Sequence, residues 1–261
     1  NQGCDPGYVC GTSCECVAAE VCPADAPVCA GDGPNSGCPS DYTCSASCTC
    51  EPGRVEVGAR ASRSTPIALT ADDAYLAMVN TDEGSVSFFS VAAGQETLLS
   101  RVATSRRVEL SEPMNVLFHP DQQRAFVANR AAGTVSRIVD VASPYPSLDA
   151  EVDLGGEPVG LALDPTGSKL WVTNWVSGQV HVIDTASMEV ERSVPVGGNP
   201  WAITITNDGD QASDDEKVLV TQFYGRARAG VVSEGTDDGR EGVVQVIDTY
   251  DPSRVREVTL A

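Results

Sequence analysis

The chain has 261 residues, of which 37 are acidic and 17 are basic. Its net charge of −20 argues against nucleic acid as a partner, because phosphate binding needs concentrated Lys and Arg. No apolar run approaches the roughly 20 residues that cross a bilayer, so we expect no transmembrane segment. All ten cysteines lie between Cys4 and Cys50, and we therefore predict a Cys-rich region, 1–51, and a Cys-free region, 52–261.

The Cys-rich region repeats the spacing C-x5-C-x3-C-x-C, with one further pair between the two copies. The ten residues are Cys4, Cys10, Cys14, Cys16, Cys22, Cys29, Cys38, Cys44, Cys48 and Cys50. An even count in a short stretch with few large apolar residues predicts a disulfide scaffold in an oxidising compartment. Within each quartet, pairings 1–3/2–4 and 1–4/2–3 both stay open, and we favour Cys4 with Cys14 and Cys10 with Cys16. Zinc ligation is disfavoured, since C-x2-C knuckles and His partners are missing. The spacings resemble fragments of EGF-type modules.

The region after the cysteines is built from repeats of one hairpin pattern. Its most regular copy is Leu170–Thr185, where two runs of β-branched and aromatic residues flank an Asn/Gly turn. An apolar strand that begins with Pro precedes each hairpin, and a short strand follows it, at intervals of about 45 residues. Four strands per repeat predict a propeller blade. We expect blades at about 64–105, 106–155, 156–198 and 199–261.

The stretch Trp171-Val-Thr-Asn174, followed by Val180-His-Val-Ile-Asp-Thr185, resembles the YVTN-type β-propeller repeat. The resemblance covers about Arg54 to Ala261 and implies a secreted or surface-attached propeller that serves as a binding or scaffolding module. The predicted fold class is therefore all-β, with four-stranded antiparallel blades after a small disulfide-rich segment. Because propellers have about four to eight blades, we expect the four visible blades to be part of a larger ring.

A metal hypothesis concerns the acidic turn of the fourth repeat. Its candidate ligands are Asp208, Asp210, Asp214 and Asp215. Several carboxylates in one loop offer the oxygen ligands that Ca²⁺ prefers, although the EF-hand spacing and its closing Glu are missing. A solvated acidic turn is the alternative. Calcium is the one cofactor that the sequence suggests.

A second candidate site lies in the long insertion 223–242 and on the inner strand before it. Arg226 and Arg228 could hold a carboxylate or phosphate, or pair with adjacent acids and order the loop. Trp201 follows the proline of an inner strand and could hold a ligand at the channel mouth, or fill space between blades. The two histidines, His119 and His181, are isolated in sequence, and no catalytic motif is recognisable.

These patterns favour an exported, non-enzymatic binding or scaffold protein that is extracellular, periplasmic or at the cell surface. We expect recognition through propeller rim loops, with a protein or surface glycan as the partner rather than a small molecule. One alternative is the propeller domain of a larger enzyme, such as a lactonase-like or haem-reductase-like protein with its site at the axial channel. Another is a structural subunit of a filament or surface layer that self-assembles through its Cys-rich arm.

Overall fold

A computed structural model describes residues 62–91, 96–210, 212–228, 230 and 239–260, together with the backbone of residues 8–10, 16–18, 42–44 and 50–52. The chain divides into two compact units, Asn1–Gly58 and Ala59–Ala261. Within the described residues, no helix is long and apolar enough to cross a membrane.

The first unit contains two short antiparallel hairpins. Strand β1 (Tyr8–Cys10) pairs with β2 (Cys16–Ala18), and β3 (Tyr42–Cys44) pairs with β4 (Cys50–Pro52). The backbone register sets the second cysteine of each quartet opposite the fourth. The repeated cysteine spacing thus produces a repeated hairpin. The disulfides themselves lie outside the described residues and stay a prediction.

The second unit contains four consecutive antiparallel sheets, which we call blades. The first blade comprises β5 (Ile67–Leu69), β6 (Tyr75–Asn80), β7 (Ser85–Ser90) and β8 (Thr97–Ala103). The second comprises β9 (Pro113–Phe118), β10 (Arg124–Asn129), β11 (Thr134–Val139) and β12 (Ser147–Asp153). The third comprises β13 (Pro158–Leu163), β14 (Lys169–Asn174), β15 (Gln179–Asp184) and β16 (Glu189–Pro195). The fourth comprises β17 (Pro200–Ile205), β18 (Lys217–Gln222), β20 (Arg240–Asp248) and β21 (Val255–Leu260), with the short β19 (Arg226–Ala227) beside β20. A single 3-10 turn, Thr81–Glu83, is the helical element of the described chain.

Hydrophobic clusters lie between each pair of consecutive blades. Phe88 of the first blade packs with Val127 of the second, Phe126 with Leu161 of the third, and Trp171 with Ile203 of the fourth. All six residues of β13 are buried because blades cover both faces of its sheet. This explains why apolar residues occupy both parities of the inner strands instead of alternating with polar ones.

The Thr-Asn pair at the end of β14 holds the third blade to its neighbour. The Asn174 side chain accepts N–H bonds from Glu157 (3.2 Å) and Ser177 (3.3 Å) and donates to the Gly155 carbonyl (2.6 Å). The Thr173 hydroxyl donates to the Trp201 carbonyl of the fourth blade at 2.8 Å. These two side chains thus hydrogen-bond backbone groups that lie outside the regular strand pairing of the third blade.

Residues 62–65, which we call the inner strap, lie along the inner strands of three blades. Ser62 forms an antiparallel bridge with Ile205 of the fourth blade, and Thr65 forms one with Val116 of the second. Between them, the hydroxyls of the two serines of the strap accept N–H bonds from β13 at 2.7 Å. The strap therefore satisfies inner-edge backbone groups that would otherwise face the propeller axis.

Candidate functional site

Four aromatic side chains meet at the rim between the third and fourth blades. We call this group, Trp175, Trp201, Phe223 and Tyr224, the aromatic patch. Its ring centroids are 4.9 to 5.8 Å apart in the contacting pairs. Phe223 is 52% exposed and Tyr224 is 61% exposed, while the two indoles are half-buried beneath them. Large exposed aromatic groups that touch one another are typical of recognition surfaces.

Backbone contacts fix the position of the aromatic patch. Trp175 directly follows β14, and its N–H donates to the Glu157 carbonyl at 2.8 Å. Phe223 directly follows β18, and its N–H donates to the Asn199 carbonyl at 2.9 Å. The Asn199 amide in turn donates to the Trp175 carbonyl at 3.2 Å. Both rings thus stand on the ends of core strands, which hold a recognition surface more firmly than a free loop does.

The corresponding rim position of the second blade is charged. Arg130 directly follows β10, and its N–H donates to the Glu112 carbonyl, as Trp175 does to Glu157. Its guanidinium pairs with the Glu112 carboxylate at 2.7 Å and lies 3.6 Å from the Glu157 carboxylate. One repeat position therefore presents an ion pair on the second blade and aromatic rings on the third and fourth.

The aromatic patch is a closely packed and partly exposed apolar surface. The rings cross at 57° to 89°, in edge-to-face or tilted contacts, so they share no common plane. Centroids about 5 Å apart leave no room between the rings for a ligand group. Val176, which is 62% exposed, follows Trp175 in the chain and adds apolar area at this rim.

The sequence identified one member of the aromatic patch, Trp201, and missed the other three. Trp175, Phe223 and Tyr224 lie in turns that follow second strands, and the repeat alignment gave no reason to bring them together. Aligning the residue that directly follows each second strand would have placed Trp175 and Phe223 at matching rim positions.

The two predicted arginines contact carboxylates of their own chain. Arg226 bonds the Glu241 carboxylate at 2.5 and 2.9 Å and also bonds Glu257. Arg228 lies 3.9 Å from Glu241. This arrangement is the loop-ordering alternative considered from the sequence, and it ties β19 to β20 and β21.

Three of the four predicted metal ligands lie together. The carboxylate oxygens of Asp208, Asp210 and Asp215 are within 4.8 Å of one another and are exposed, whereas Asp214 is not part of this group. Partial desolvation and the neighbouring charge of Asp210 raise the pKa of Asp215. Glu216 is buried and accepts hydrogen bonds from the Thr206 hydroxyl and from the Asp208 N–H. Three exposed carboxylates could hold Ca²⁺, and the calcium site stays a prediction.

The inner strands carry little acid–base chemistry. Strands β5, β9, β13 and β17 contain no His, Asp or Glu. The histidines lie elsewhere: His119 is in the turn after β9, and His181 is within β15. Burial lowers the pKa of both imidazoles, which favours their neutral forms at physiological pH.

Comparisons with solved structures support the propeller fold. A hydrazine synthase chain from Kuenenia stuttgartiensis aligns over 80% of this chain with a TM-score of 0.55 and 19% identity. A protein of unknown function from Desulfotomaculum acetoxidans aligns over 82% with a TM-score of 0.53 and 15% identity. A protein from Lactobacillus plantarum aligns over 76% with a TM-score of 0.50 and 19% identity.

The chain spans between 53% and 60% of the length of these three structures. At such identities the likeness concerns the fold alone, and the predicted all-β propeller of four-stranded antiparallel blades is confirmed. No family model matches the chain, and no curated protein does.

Proposed function

We propose that this chain is an exported YVTN-type propeller that binds a protein partner through the aromatic patch. The observation that carries the proposal is the convergence of Trp175, Trp201, Phe223 and Tyr224 on one exposed rim. The ten clustered cysteines support export, because disulfide scaffolds persist in oxidising compartments. The bonds that Thr173 and Asn174 make support the YVTN assignment, since they give both motif residues a structural role.

A protein surface suits the aromatic patch better than a small molecule or a sugar does. Small ligands bind in concave sites, whereas these rings pack against one another and leave no gap between them for a ligand. A sugar ring stacks on a flat, open aromatic face, and rings that cross at 57° to 89° do not extend one another into a platform. Trp and Tyr are enriched in the central residues of protein interfaces, where their large area is buried at low entropic cost.

The partner should present apolar side chains with basic residues around them. The chain carries a net charge of −20, so a basic surface is attracted to it over a distance set by ionic screening. Glu157, beside the aromatic patch, is already paired with Arg130. We therefore expect charge to increase the association rate, and the aromatic contacts to supply most of the affinity.

The proposal is tested by selection from a displayed library of random peptides against the folded chain. The expected outcome is enrichment of peptides that combine aromatic or aliphatic residues with Lys or Arg. Enrichment should disappear for Phe223→Ala and persist for Tyr145→Ala, because Tyr145 is an exposed aromatic residue outside the aromatic patch. Binding to an array of glycans that Phe223→Ala abolishes, with no peptide enrichment, would overturn the protein-partner assignment.

A further inference from the structure

The first and fourth blades each have one sheet face that no other blade covers in the described chain. These two faces are of the two kinds that pack together at the three internal junctions between blades. We call the face that a blade turns to the preceding blade its upstream face, and the opposite one its downstream face. Leu161 and Val172, on the upstream face of the third blade, pack on Phe126 and Val135 of the second. The same pairing of upstream on downstream recurs at the other two junctions.

A shared turn aligns the four inner strands. The N–H of Thr70, His119, Asp164 and Thr206 donates to the carbonyl of the residue that begins the next strand in each blade. Ile67 lies three residues before the turn position of the first blade. The residues three before that position in the other blades are Val116, Leu161 and Ile203.

The upstream face of the first blade is exposed at positions that the other blades bury. Ile67 is 51% exposed, whereas its three counterparts are between 0% and 5% exposed. Leu69 is 51% exposed, whereas its counterpart Phe118 is half-buried and its counterparts Leu163 and Ile205 are 3% and 0% exposed. Met78 and Leu98 extend the same face and are 37% and 51% exposed. This face therefore has the composition of a blade junction without a preceding blade over it in the described chain.

The downstream face of the fourth blade has the complementary character. Leu219, Val244 and Val246 are half-buried there, and Thr221 is exposed. The matching residues of the third blade are buried under the fourth blade: Trp171, Val180, Val182 and Thr173. This second face is thus the type that covers an upstream face at each internal junction.

Charge supports the same pairing. Arg192 and Arg256 hold the same register position on the fourth strands of their blades. Arg192 acts across the internal junction on Asp251, whose pKa is lowered mainly by a hydrogen bond from Ser253 and also by Arg254 and Arg192. Arg256 is exposed on the downstream face of the fourth blade, where it could meet a carboxylate of an opposing blade in the same way.

We propose that the upstream face of the first blade docks on the downstream face of the fourth blade of a second copy of this chain. The contact is heterologous, because two different faces meet. Two copies that close both contacts would give eight blades, which is within the range of about four to eight that propellers adopt. The second copy is the occupant that the chain itself supplies, since both complementary faces are present on it.

The test is the oligomeric state of the full chain, measured by light scattering after size exclusion and by native mass spectrometry. Wild type should have twice the chain mass. Ile67→Asp and Val246→Asp should each weaken association by at least about tenfold, because each places a charge in the middle of a contact. Leu110→Asp, at a 61% exposed leucine outside both faces, should leave association unchanged.

Mixing the two variants distinguishes head-to-tail contact from other pairings. The Ile67→Asp chain keeps an intact fourth-blade face, and the Val246→Asp chain keeps an intact first-blade face. An intact first-blade face can therefore meet an intact fourth-blade face only in the mixture. The mixture should form a dimer of one chain of each kind.

A monomeric wild type would overturn the proposal, and so would dimers of Val246→Asp alone, which would indicate contact between two first blades. Circular dichroism and tryptophan fluorescence confirm that the variants fold. Thr221→Asp, at an exposed position of the same face, replaces Val246→Asp if the latter does not fold.

Discussion

Single side chains explain why the hairpin pattern recurs with an Asn at the end of its second strand. In the second blade, the Asn129 amide donates to the Thr104 carbonyl (2.9 Å) and to the hydroxyls of Thr134 (3.1 Å) and Ser136 (2.8 Å). In the first blade, Asn80 makes equivalent bonds to Ser85 and Ser87. In both blades, the Asn amide at the end of the second strand thus hydrogen-bonds hydroxyl groups of the third strand and joins the two strands of the hairpin.

Replacing Asn174 with Ala should destabilise the fold. The change removes three hydrogen bonds, so that the Gly155 carbonyl and the Glu157 N–H lose the side-chain partner that joins them to the end of β14. We expect the free energy of unfolding to fall by about 1–3 kcal/mol, measured by urea denaturation. Asn207→Ala is the matched control, because Asn207 makes a single local bond to the Gly209 N–H, and its effect should stay within about 0.5 kcal/mol. Equal effects for the two variants would contradict the role given to Asn174.

The environment of Asp184 leads us to expect that part of the free energy of unfolding is lost in acid. A hydrogen bond from the Ser187 N–H and the ion pair with Lys169 lower the pKa of Asp184 to about 2. The folded state therefore favours the carboxylate. This contribution is present above the ordinary Asp pKa of about 4, and it is lost as the pH falls towards 2.

The Asp184→Asn variant checks that contribution. The difference in unfolding free energy between wild type and variant should be below about 1 kcal/mol near neutral pH, since the pair is partly exposed. It should shrink as the pH falls from about 4 to 2, in urea titrations at several pH values. A difference that does not change with pH would show that the charge of Asp184 is not responsible.

At the scale of elements, the sequence predicts the strands and hairpins because both have local signals. Gly84, Gly133 and Gly178 end the hairpin turns with positive φ angles of 61°, 67° and 65°, which the Asn/Gly pattern anticipates. A side chain at Gly84 would also collide with the Glu109 carbonyl. The inner strap was not predictable, since Ser62 and its partner Thr204 are 142 residues apart in the chain and the Ser-Arg-Ser-Thr sequence has no strand pattern.

The inner strap should contribute measurably to stability. In Ser64→Ala, the Leu161 N–H of β13 loses the hydroxyl that accepts its bond at 2.7 Å. We expect a loss of about 1 kcal/mol in unfolding free energy and faster exchange of the Leu161 amide proton, measured by urea denaturation and NMR.

Arg63→Ala is the control within the same strap, because the Arg63 side chain is exposed. Its effect should stay within about 0.5 kcal/mol. Unchanged exchange at Leu161 in Ser64→Ala would remove the proposed role of the strap.

At the scale of the molecule, a repeat of about 45 residues predicted the propeller because each blade buries its faces on adjacent blades. The candidate site was less predictable. Trp175 and Phe223 meet only after β14 and β18 are placed in neighbouring blades, and their ring centroids are then 4.9 Å apart. Local patterns carry no information about such a contact between repeats. Trp201 was identifiable because it lies in a recognised inner strand, whereas Tyr224 lies in an irregular turn.

The most direct test of the account is the affinity of one library-selected basic and apolar peptide for the folded chain, measured by calorimetric titration. Phe223→Ala and Tyr224→Ala should each weaken binding by at least about tenfold, as expected for central residues of an interface. Tyr145→Ala, at an aromatic residue that is 84% exposed elsewhere on the propeller, should bind as wild type does. Equal affinity of all four proteins would contradict the claim that the aromatic patch is the recognition surface.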